Sequence, residues 1–352
     1  MSQHDSSSQD HAGVYLAAFG KHPGWNDHID DIGVETARLV GIKRSLYFEG
    51  VGGNIDAGTW ESLEESQRLP GFGHTWVWRY PDAVVTGRMW ASRDGKGRAL
   101  YPMVVCAQNS DGLLPNLLAG TLPLLRNLEA QCRDSSTASE VVAAVDRTRS
   151  ELRASASWQA DAAGTLPEWC ASNRALAKMA EGIGLHDQSP PFHRILYRIE
   201  RDMAAYLRTT KRGQAANRLP LHIRVPAAND DEIQSLVLWT VLMLTLLDPS
   251  VPLLLVRPDD AAWIDILIGE PKAQQYYCLL ATPEAVPLAS DIPYTIDPPF
   301  LEHADTLVNG WRGEGEALDS GLLRVDAYAG DDEGSGLSRL FRPVKGLFGR
   351  GA

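Results

Sequence analysis

Three neighbouring stretches of the chain have the composition of β-strands and are joined by connections too short for a helical crossover. They span 74–80, 84–91 and 99–107 and are rich in Val, Trp, Tyr and Met, which suit a pleated and half-buried surface. The second connection, from Ser92 to Arg98, contains Asp-Gly and Lys-Gly steps, which are strong hairpin signals. Short connections make successive strands run in opposite directions. This part of the chain therefore predicts an antiparallel meander.

Hydrophobic periodicity predicts further helices and strands around this meander. Between 113 and 208, apolar residues recur at helical spacing, so we expect a helical block there. The cluster from Asn229 to Glu232 is a good N-cap for the apolar stretch that follows it. Strand-rich blocks on both sides of a helical block predict an α+β fold, with a mostly antiparallel sheet flanked by helices. The remaining predicted elements are strands over 14–19, 219–225, 251–257 and 262–268, and helices over 34–46, 59–69, 231–247 and 272–281, with another opened by Pro190.

Composition divides the chain into three segments. Residues 1–12 are polar and have no apolar anchor, so we expect them to be disordered. The α+β domain is predicted to span 13–285, with the helical block 113–218 as an insertion. The segment 286–352 is Pro-rich and thinly apolar, and we expect it to end in a flexible C-terminal tail. From Leu337 onward the tail has two Leu-Phe pairs among basic residues, which suits docking into a partner groove, peripheral contact with an anionic membrane, or no structure.

Charge and the distribution of apolar residues exclude several classes of protein. The 352 residues include 33 basic and 45 acidic side chains, for a formal net charge of −12. Phosphate backbones repel such a chain, so nucleic-acid binding is not expected. The longest apolar run, 236–247, is shorter than the ~20 residues of a membrane span. With four scattered cysteines, no C-x-x-C pair and no secretory signal, we expect a reduced, cytoplasmic protein without a cofactor.

Three motif elements occur in order within residues 14–107: Gly20-Lys21-x-Pro23 with the nearby Asp27, then Trp78-Arg79, and then Trp90-Ala-Ser92-Arg93-Asp94-x-x-Gly97-Arg98 followed by Tyr101-Pro102. Their order and spacing resemble those of the TagF/ImpM family of type VI secretion-associated proteins. A weaker similarity to the family's second half follows at Trp263 and at Gly269-Glu-Pro271. The chain departs from the family between Gly24 and Asp31, where family members usually have a small residue, Arg, Gly and Asp.

The resemblance implies a longin-like fold and a role in restraining or positioning the secretion machine, partly through an Fha-type scaffold or a baseplate component. We therefore predict a non-enzymatic regulatory protein that acts by binding other proteins. Its partner surface would comprise the 20–33 segment, the 92–98 hairpin and, as a further candidate, the C-terminal tail. The predicted interaction residues are Gly20, Lys21, Pro23, Trp25, Asp27, His28, Asp30, Asp31, Arg79, Ser92, Arg93, Asp94, Lys96 and Arg98.

A metal-dependent hydrolase is the alternative hypothesis, because five potential ligands fall within ten residues. Imidazole and carboxylate groups suit a divalent metal and phosphoester hydrolysis. The spacing matches neither an EF-hand loop, which would need an oxygen ligand where Ile29 stands, nor the His-Glu-x-x-His motif, which is absent. A phosphate-binding P-loop and a serine-hydrolase elbow are also missing. The candidate ligands are His22, Asp27, His28, Asp30 and Asp31.

Tryptophan is concentrated in the first ninety residues of the chain. Aromatic-rich sheets are usually buried, so we expect these rings to lie in the core, with an exposed aromatic interface patch as the alternative. The five residues are Trp25, Trp60, Trp76, Trp78 and Trp90.

Overall fold

The protein is α+β, with one seven-stranded antiparallel sheet flanked by helices on both faces, which confirms the predicted fold class. The expected disorder at 1–12 and nearly all of the expected tail lie outside the part of the chain that the structure describes. The computed structural model describes residues 13–161, 166–185, 189–202, 220–228, 231–248, 250–311 and 323–326.

The sheet has the order β1-β4-β3-β2-β7-β8-β6, and every neighbouring pair is antiparallel. The meander predicted from composition is therefore confirmed as β2, β3 and β4. A separate two-stranded ribbon pairs β5 with β9. The strands are β1 (Tyr15–Gly20), β2 (Gly73–Arg79), β3 (Val84–Trp90), β4 (Met103–Asn109), β5 (Asp111–Leu113), β6 (Leu221–Pro226), β7 (Leu253–Pro258), β8 (Trp263–Ile268) and β9 (Arg324–Asp326).

Alternation of side chains along the strands gives the sheet two apolar faces. On β2, the rings of Trp76 and Trp78 face one way and Val77 faces the other. Gly87 lies opposite Trp76 on β3, and a Cβ at this glycine would overlap the buried indole. The predicted burial holds for Trp60, Trp76, Trp78 and Trp90, whereas Trp25 stays partly exposed.

Helices cover both faces of the sheet. The most apolar of them, α7, begins after Asp231, whose carboxylate accepts a hydrogen bond of 2.8 Å from the Gln234 N–H and so provides the predicted cap. The helices are α1 (Ala37–Ile42), which continues through a π-helix (Lys43–Gly52) into α2 (Gly53–Asp56), then α3 (Leu114–Asp134), α4 (Ala138–Asp161), α5 (Asn173–Gly182), α6 (Pro190–Asp202), α7 (Glu232–Leu246) and α8 (Pro298–Trp311), with 3₁₀ helices at Glu65–Gln67, Glu168–Cys170 and Ala273–Leu279.

Two predicted helices differ from the observed ones because distant partners decide their backbone. The predicted helix 59–69 is wrong: turns and a single 3₁₀ turn replace it, and the Leu69 N–H donates to the Leu280 carbonyl at 2.8 Å. The predicted helix 34–46 begins later, at Ala37, and continues beyond residue 46 to Asp56, across Gly50, Gly52 and Gly53. Gly50 packs directly on the Tyr276 ring, so this glycine serves close packing rather than termination.

Residues beyond 285 contribute to the core as well. Ala304 on α8 and Val325 on β9 are buried in the largest apolar cluster, together with α3, α5, α6 and α7. The proposed domain boundary at 285 stays a prediction. The described part of the Pro-rich segment nonetheless packs on the α+β body.

Candidate functional site

The first motif element begins where β1 ends, beside the start of β4. Gly20 has φ +114°, and a Cβ there would overlap the Pro102 carbonyl oxygen and lie 3.0 Å from Met103 Cα. The Lys21 N–H donates to that same carbonyl at 3.1 Å. The glycine therefore lets the chain pass under Pro102 and turn Lys21 towards the hairpin, because an L side chain fits neither the φ angle nor the space.

Lys21 joins the 20–33 segment to the hairpin. Its side chain is buried, and Nζ donates to Asp27 Oδ1 and to Asp94 Oδ2, each at 2.8 Å. Asp94 is also buried and stands 73 residues away in sequence. A buried ammonium is stable when it is paired and hydrogen-bonded, and the two carboxylates meet that need. Burial opposes the charged form, but these partners outweigh it and raise the pKa of Lys21.

Asp94 organises the tip of the hairpin. Its Oδ1 accepts hydrogen bonds from the backbone N–H groups of Lys96 and Arg98, each at 3.0 Å, and its Oδ2 accepts one from Arg98 Nε at 2.7 Å. Burial acts in the opposite direction, but the hydrogen bonds from Lys21 and Arg98 hold the pKa of Asp94 well below its usual range. The tip also contacts the first segment directly, since the Gly95 N–H donates to the Trp25 carbonyl at 2.6 Å.

Asp27 lies on the outer side of this network, with 68% of its side chain exposed. The hydrogen bond from Lys21 is the main reason that its pKa falls to about 2. Arg98 Nη2 lies 3.1 Å from Asp27 Oδ1, and His28 Nδ1 lies 3.2 Å from the same oxygen. The carboxylate is therefore ionised throughout the neutral pH range and is held by three surrounding groups.

Aromatic side chains pack together beside Asp27. The His28 ring packs edge-on against Tyr47 and Tyr101, with centroid separations of 5.7 Å and 5.3 Å. Tyr47 comes from the π-helix and is fully buried, and among the described residues its hydroxyl has no hydrogen-bond partner. Next to these rings, Phe48 is 54% exposed and Leu100 is 61% exposed. Large exposed apolar side chains beside a fixed charge network are typical of contact surfaces.

The structure does not bring the five proposed metal ligands together. His22 Nε2 lies 2.8 Å from the Cys132 carbonyl and its Nδ1 accepts the Gly24 N–H at 3.0 Å, so both ring nitrogens are occupied away from the other four groups. Asp30 accepts a hydrogen bond of 3.3 Å from Trp25 Nε1, and Asp31 pairs with Lys43. Across the described ranges, the grouping of potential metal ligands that does form lies elsewhere, on other residues.

Four further predicted interaction residues lie on the strands or on the hairpin, at different distances from Lys21 and Asp94. Arg79 is buried at the other end of β2, opposite Val84, whereas the hairpin leaves from Trp90 at the near end. Five residues on each strand separate the two ends, so Arg79 is not part of this surface although Trp78-Arg79 belongs to the motif set. Ser92 is half-buried, and Arg93 and Lys96 are exposed on the hairpin.

Sequence reasoning missed the aromatic and apolar part of the site. Tyr101 occurs in the sequence as one position of a motif, and Tyr47 and Phe48 lie in a helix whose apolar residues show no clear period. The available signal was weak: a Tyr-Phe pair at adjacent helix positions places one ring inside and one outside. The side-by-side arrangement of β1 and β4 then brings Tyr101 to the same place.

A second charged cluster lies on the opposite face of the sheet, at a cleft of about 620 Å³ lined by Arg126, Arg257 and other charged residues. Arg88 is buried there, and its guanidinium donates to Glu129 Oε2 at 2.7 Å and to both oxygens of Asp259 at 2.7 and 2.8 Å. These contacts join β3 to α3 and to the turn after β7. Arg88 also donates to Thr75 Oγ1 at 2.6 Å, so its buried charge is held by three neighbouring side chains and the cluster ties the fold together.

Comparisons with known proteins do not assign the chain to a family. No protein-family model and no curated protein sequence matches the chain. The crystal structure of PA0076 from Pseudomonas aeruginosa PAO1 is similar to 38% of the chain, with 16% sequence identity and a TM-score of 0.30. The matched part is 62% of PA0076, which is less than two thirds of that protein. In the described part of the chain, none of the helices has the length and apolarity that crossing a bilayer requires.

Proposed function

We propose that the chain is an accessory protein of a type VI secretion-like system that binds another protein and converts no substrate. The motifs that resemble the TagF/ImpM family support this proposal, since two of them, Gly20-Lys21-x-Pro23 with Asp27 and the hairpin around Asp94, are joined by one buried lysine. In this proposal the protein acts in the cytoplasm, and the partner is an Fha-type scaffold or a baseplate component.

The observation that carries the proposal is the position of Lys21 between Asp27 and Asp94. The central charges satisfy one another, so they are suited to fixing a surface rather than to attacking or protonating a substrate. A general acid or base needs a group that is free to meet its substrate. Here Asp94 accepts from a lysine, an arginine and two backbone N–H groups at once.

A fixed surface favours binding because less conformational entropy is lost when the partner docks. Around the network of Lys21, Asp27 and Asp94, the exposed side chains are Arg93 and Lys96 at the hairpin tip and the apolar Leu100 and Phe48. An apolar centre with charged neighbours is the usual composition of a protein interface. The basic tip would meet an acidic patch on the partner, which also fixes orientation.

The test is affinity capture with the full chain from its native host. A double charge reversal, Arg93→Glu with Lys96→Glu, removes the basic tip while leaving Lys21, Asp94 and Arg98 in place. The matched control reverses two exposed arginines on α4 and α5, Arg153→Glu with Arg174→Glu. We expect the wild type and the control to retain sheath, baseplate or scaffold proteins and the hairpin variant to lose them. Recovery of no secretion component, or equal recovery by all three proteins, refutes the proposal.

A further inference from the structure

Three side chains with metal-binding chemistry meet at the edge of the sheet farthest from the 20–33 segment. They are His222 on β6, Asp265 on β8 and Cys278 in the 3₁₀ helix Ala273–Leu279. One potential ligand atom from each lies within 4.8 Å of the other two. The closest pair, His222 Nε2 and Asp265 Oδ1, is separated by 2.6 Å.

Strand register and the covering helix produce this arrangement. Arg224 lies directly opposite Asp265 across β6 and β8, and His222, two residues earlier, lies on the same face of the sheet. The 3₁₀ helix crosses above that face and carries Cys278 down to it, where Asp265 and Cys278 are each about 1% exposed. The His222 side chain remains 19% exposed and gives the cluster a path to solvent.

Each of the three side chains is of a type that binds zinc. Zinc binds imidazole nitrogen, carboxylate oxygen and thiolate sulfur at about 2.0–2.3 Å, usually with four ligands in a tetrahedron. We propose that His222, Asp265 and Cys278 bind one zinc ion, with water as the fourth ligand. The site is on the β6 edge, whereas the proposed partner surface is beside β1, so the two proposals are independent of each other.

Binding requires a small rearrangement of groups already in place. Tetrahedral ligands stand about 3.3–3.6 Å apart, so His222 would exchange its contact with Asp265 Oδ1 for the metal and move by less than about 1 Å. The Cys278 thiol would release its proton to water and bind as thiolate. The two anionic ligands then balance the charge of the ion.

Arg224 would orient the carboxylate from outside the metal. It donates to Asp265 Oδ1 from Nε at 2.7 Å and to Oδ2 from Nη2 at 2.8 Å. It also donates to the Val286 carbonyl at 3.0 Å and the Cys278 carbonyl at 3.2 Å, so its charge is still solvated by protein oxygens when the metal binds. Hydrogen-bonded second partners of this kind hold a metal ligand in position.

Cobalt(II) titration of the full, chelator-treated protein tests the proposal, because a cobalt–thiolate bond gives an intense near-ultraviolet charge-transfer band. We expect one equivalent of cobalt to produce this band and one equivalent of zinc to abolish it. Cys278→Ser and His222→Gln should each remove the band. Two matched controls should retain it: Cys106→Ser, at a buried thiol on β4, and His193→Gln, at a His–Asp pair of 2.7 Å that has no thiol beside it.

Thermal unfolding is the second measurement, since a ligand that binds only the folded state raises Tm. Zinc should raise the Tm of the wild type and of both controls, and should leave the Tm of Cys278→Ser unchanged. Absence of the thiolate band in the wild type overturns the proposal whether or not the variants fold. A band that survives in a folded Cys278→Ser protein overturns it equally.

Discussion

Replacing Gly20 by alanine tests whether the start of the site depends on the close approach of β1 to Pro102. The new Cβ would overlap the Pro102 carbonyl oxygen and lie 3.0 Å from Met103 Cα, both of which are backbone atoms that cannot rotate away. An L-residue at this φ of +114° carries strain of about 1–2 kcal/mol. Overpacking against fixed atoms adds about 1–3 kcal/mol. We therefore expect Gly20→Ala to lower the free energy of unfolding by about 2–5 kcal/mol.

Alanine substitutions at two other glycines distinguish the cost of backbone strain from the cost of steric overlap. Gly97 at the hairpin tip has φ +80° and open space around its missing Cβ, so Gly97→Ala should cost only the strain, about 1–2 kcal/mol. Gly41 lies in α1 and also has nothing within 4 Å. Gly41→Ala should raise stability by about 0.5–1 kcal/mol, since alanine favours a helix.

Urea unfolding, followed by tryptophan fluorescence and circular dichroism, measures the free energy of unfolding of the three variants under one set of conditions. The expected order of stability is Gly41→Ala above wild type, then Gly97→Ala, and then Gly20→Ala. If Gly20→Ala is no less stable than Gly97→Ala, the contact with Pro102 does not explain the glycine. The same result would remove the argument that the passage under Pro102 positions Lys21.

Three further predictions concern other parts of the molecule. Arg88→Met should lower the free energy of unfolding by about 3–5 kcal/mol, because Glu129 and Asp259 lose their buried partner; a loss below about 1 kcal/mol in urea would contradict this. Burial lowers the pKa of His74 to about 4 from 6.5, so its contribution to stability is complete above pH 6.5 and decreases as the pH falls towards 4. Urea unfolding should show a loss of about 2 kcal/mol from this group between pH 7 and pH 5, and an equal loss in His74→Gln would assign it to other groups. Leu100→Ser should change unfolding by less than about 0.5 kcal/mol but weaken partner capture, whereas undiminished capture would place the interface elsewhere.

The fold was predictable where local chemistry and tertiary contacts agree. The meander has strand composition and short connections, and α7 has an apolar run with an Asp231 cap, so both were found. The third strand starts at Met103 rather than at residue 99, because the Asp94 side chain organises a longer return to the sheet. The predicted helix 59–69 is wrong because its end pairs with a distant segment: the Leu69 N–H donates to the Leu280 carbonyl and the Gln67 carbonyl accepts from the Thr282 N–H.

The site was predictable in part. The motifs identified Lys21, Asp27 and Asp94 as important, but nothing in their spacing gives a direct contact between Lys21 and Asp94, which depends on the pairing of β1 with β4. The local density of ligand-type residues around His22 suggested a metal site, yet its ring turns towards Cys132. The three ligand-type residues that do converge, on β6, β8 and the 3₁₀ helix, are too far apart in sequence for a pattern to reveal them.

The 20–33 segment also protects an edge of the sheet, and this limits how its sequence can change. Ala18 and Ile32 exchange both backbone hydrogen bonds, at 2.9 and 3.1 Å, so the segment occupies groups on β1 that another strand would otherwise pair with. A shift of this backbone would expose the strand edge and favour association between copies of the chain. Evolution can therefore vary the outward side chains, such as Asp30, more freely than the path of the segment. New partners would be acquired by changing the side chains on an unchanged backbone.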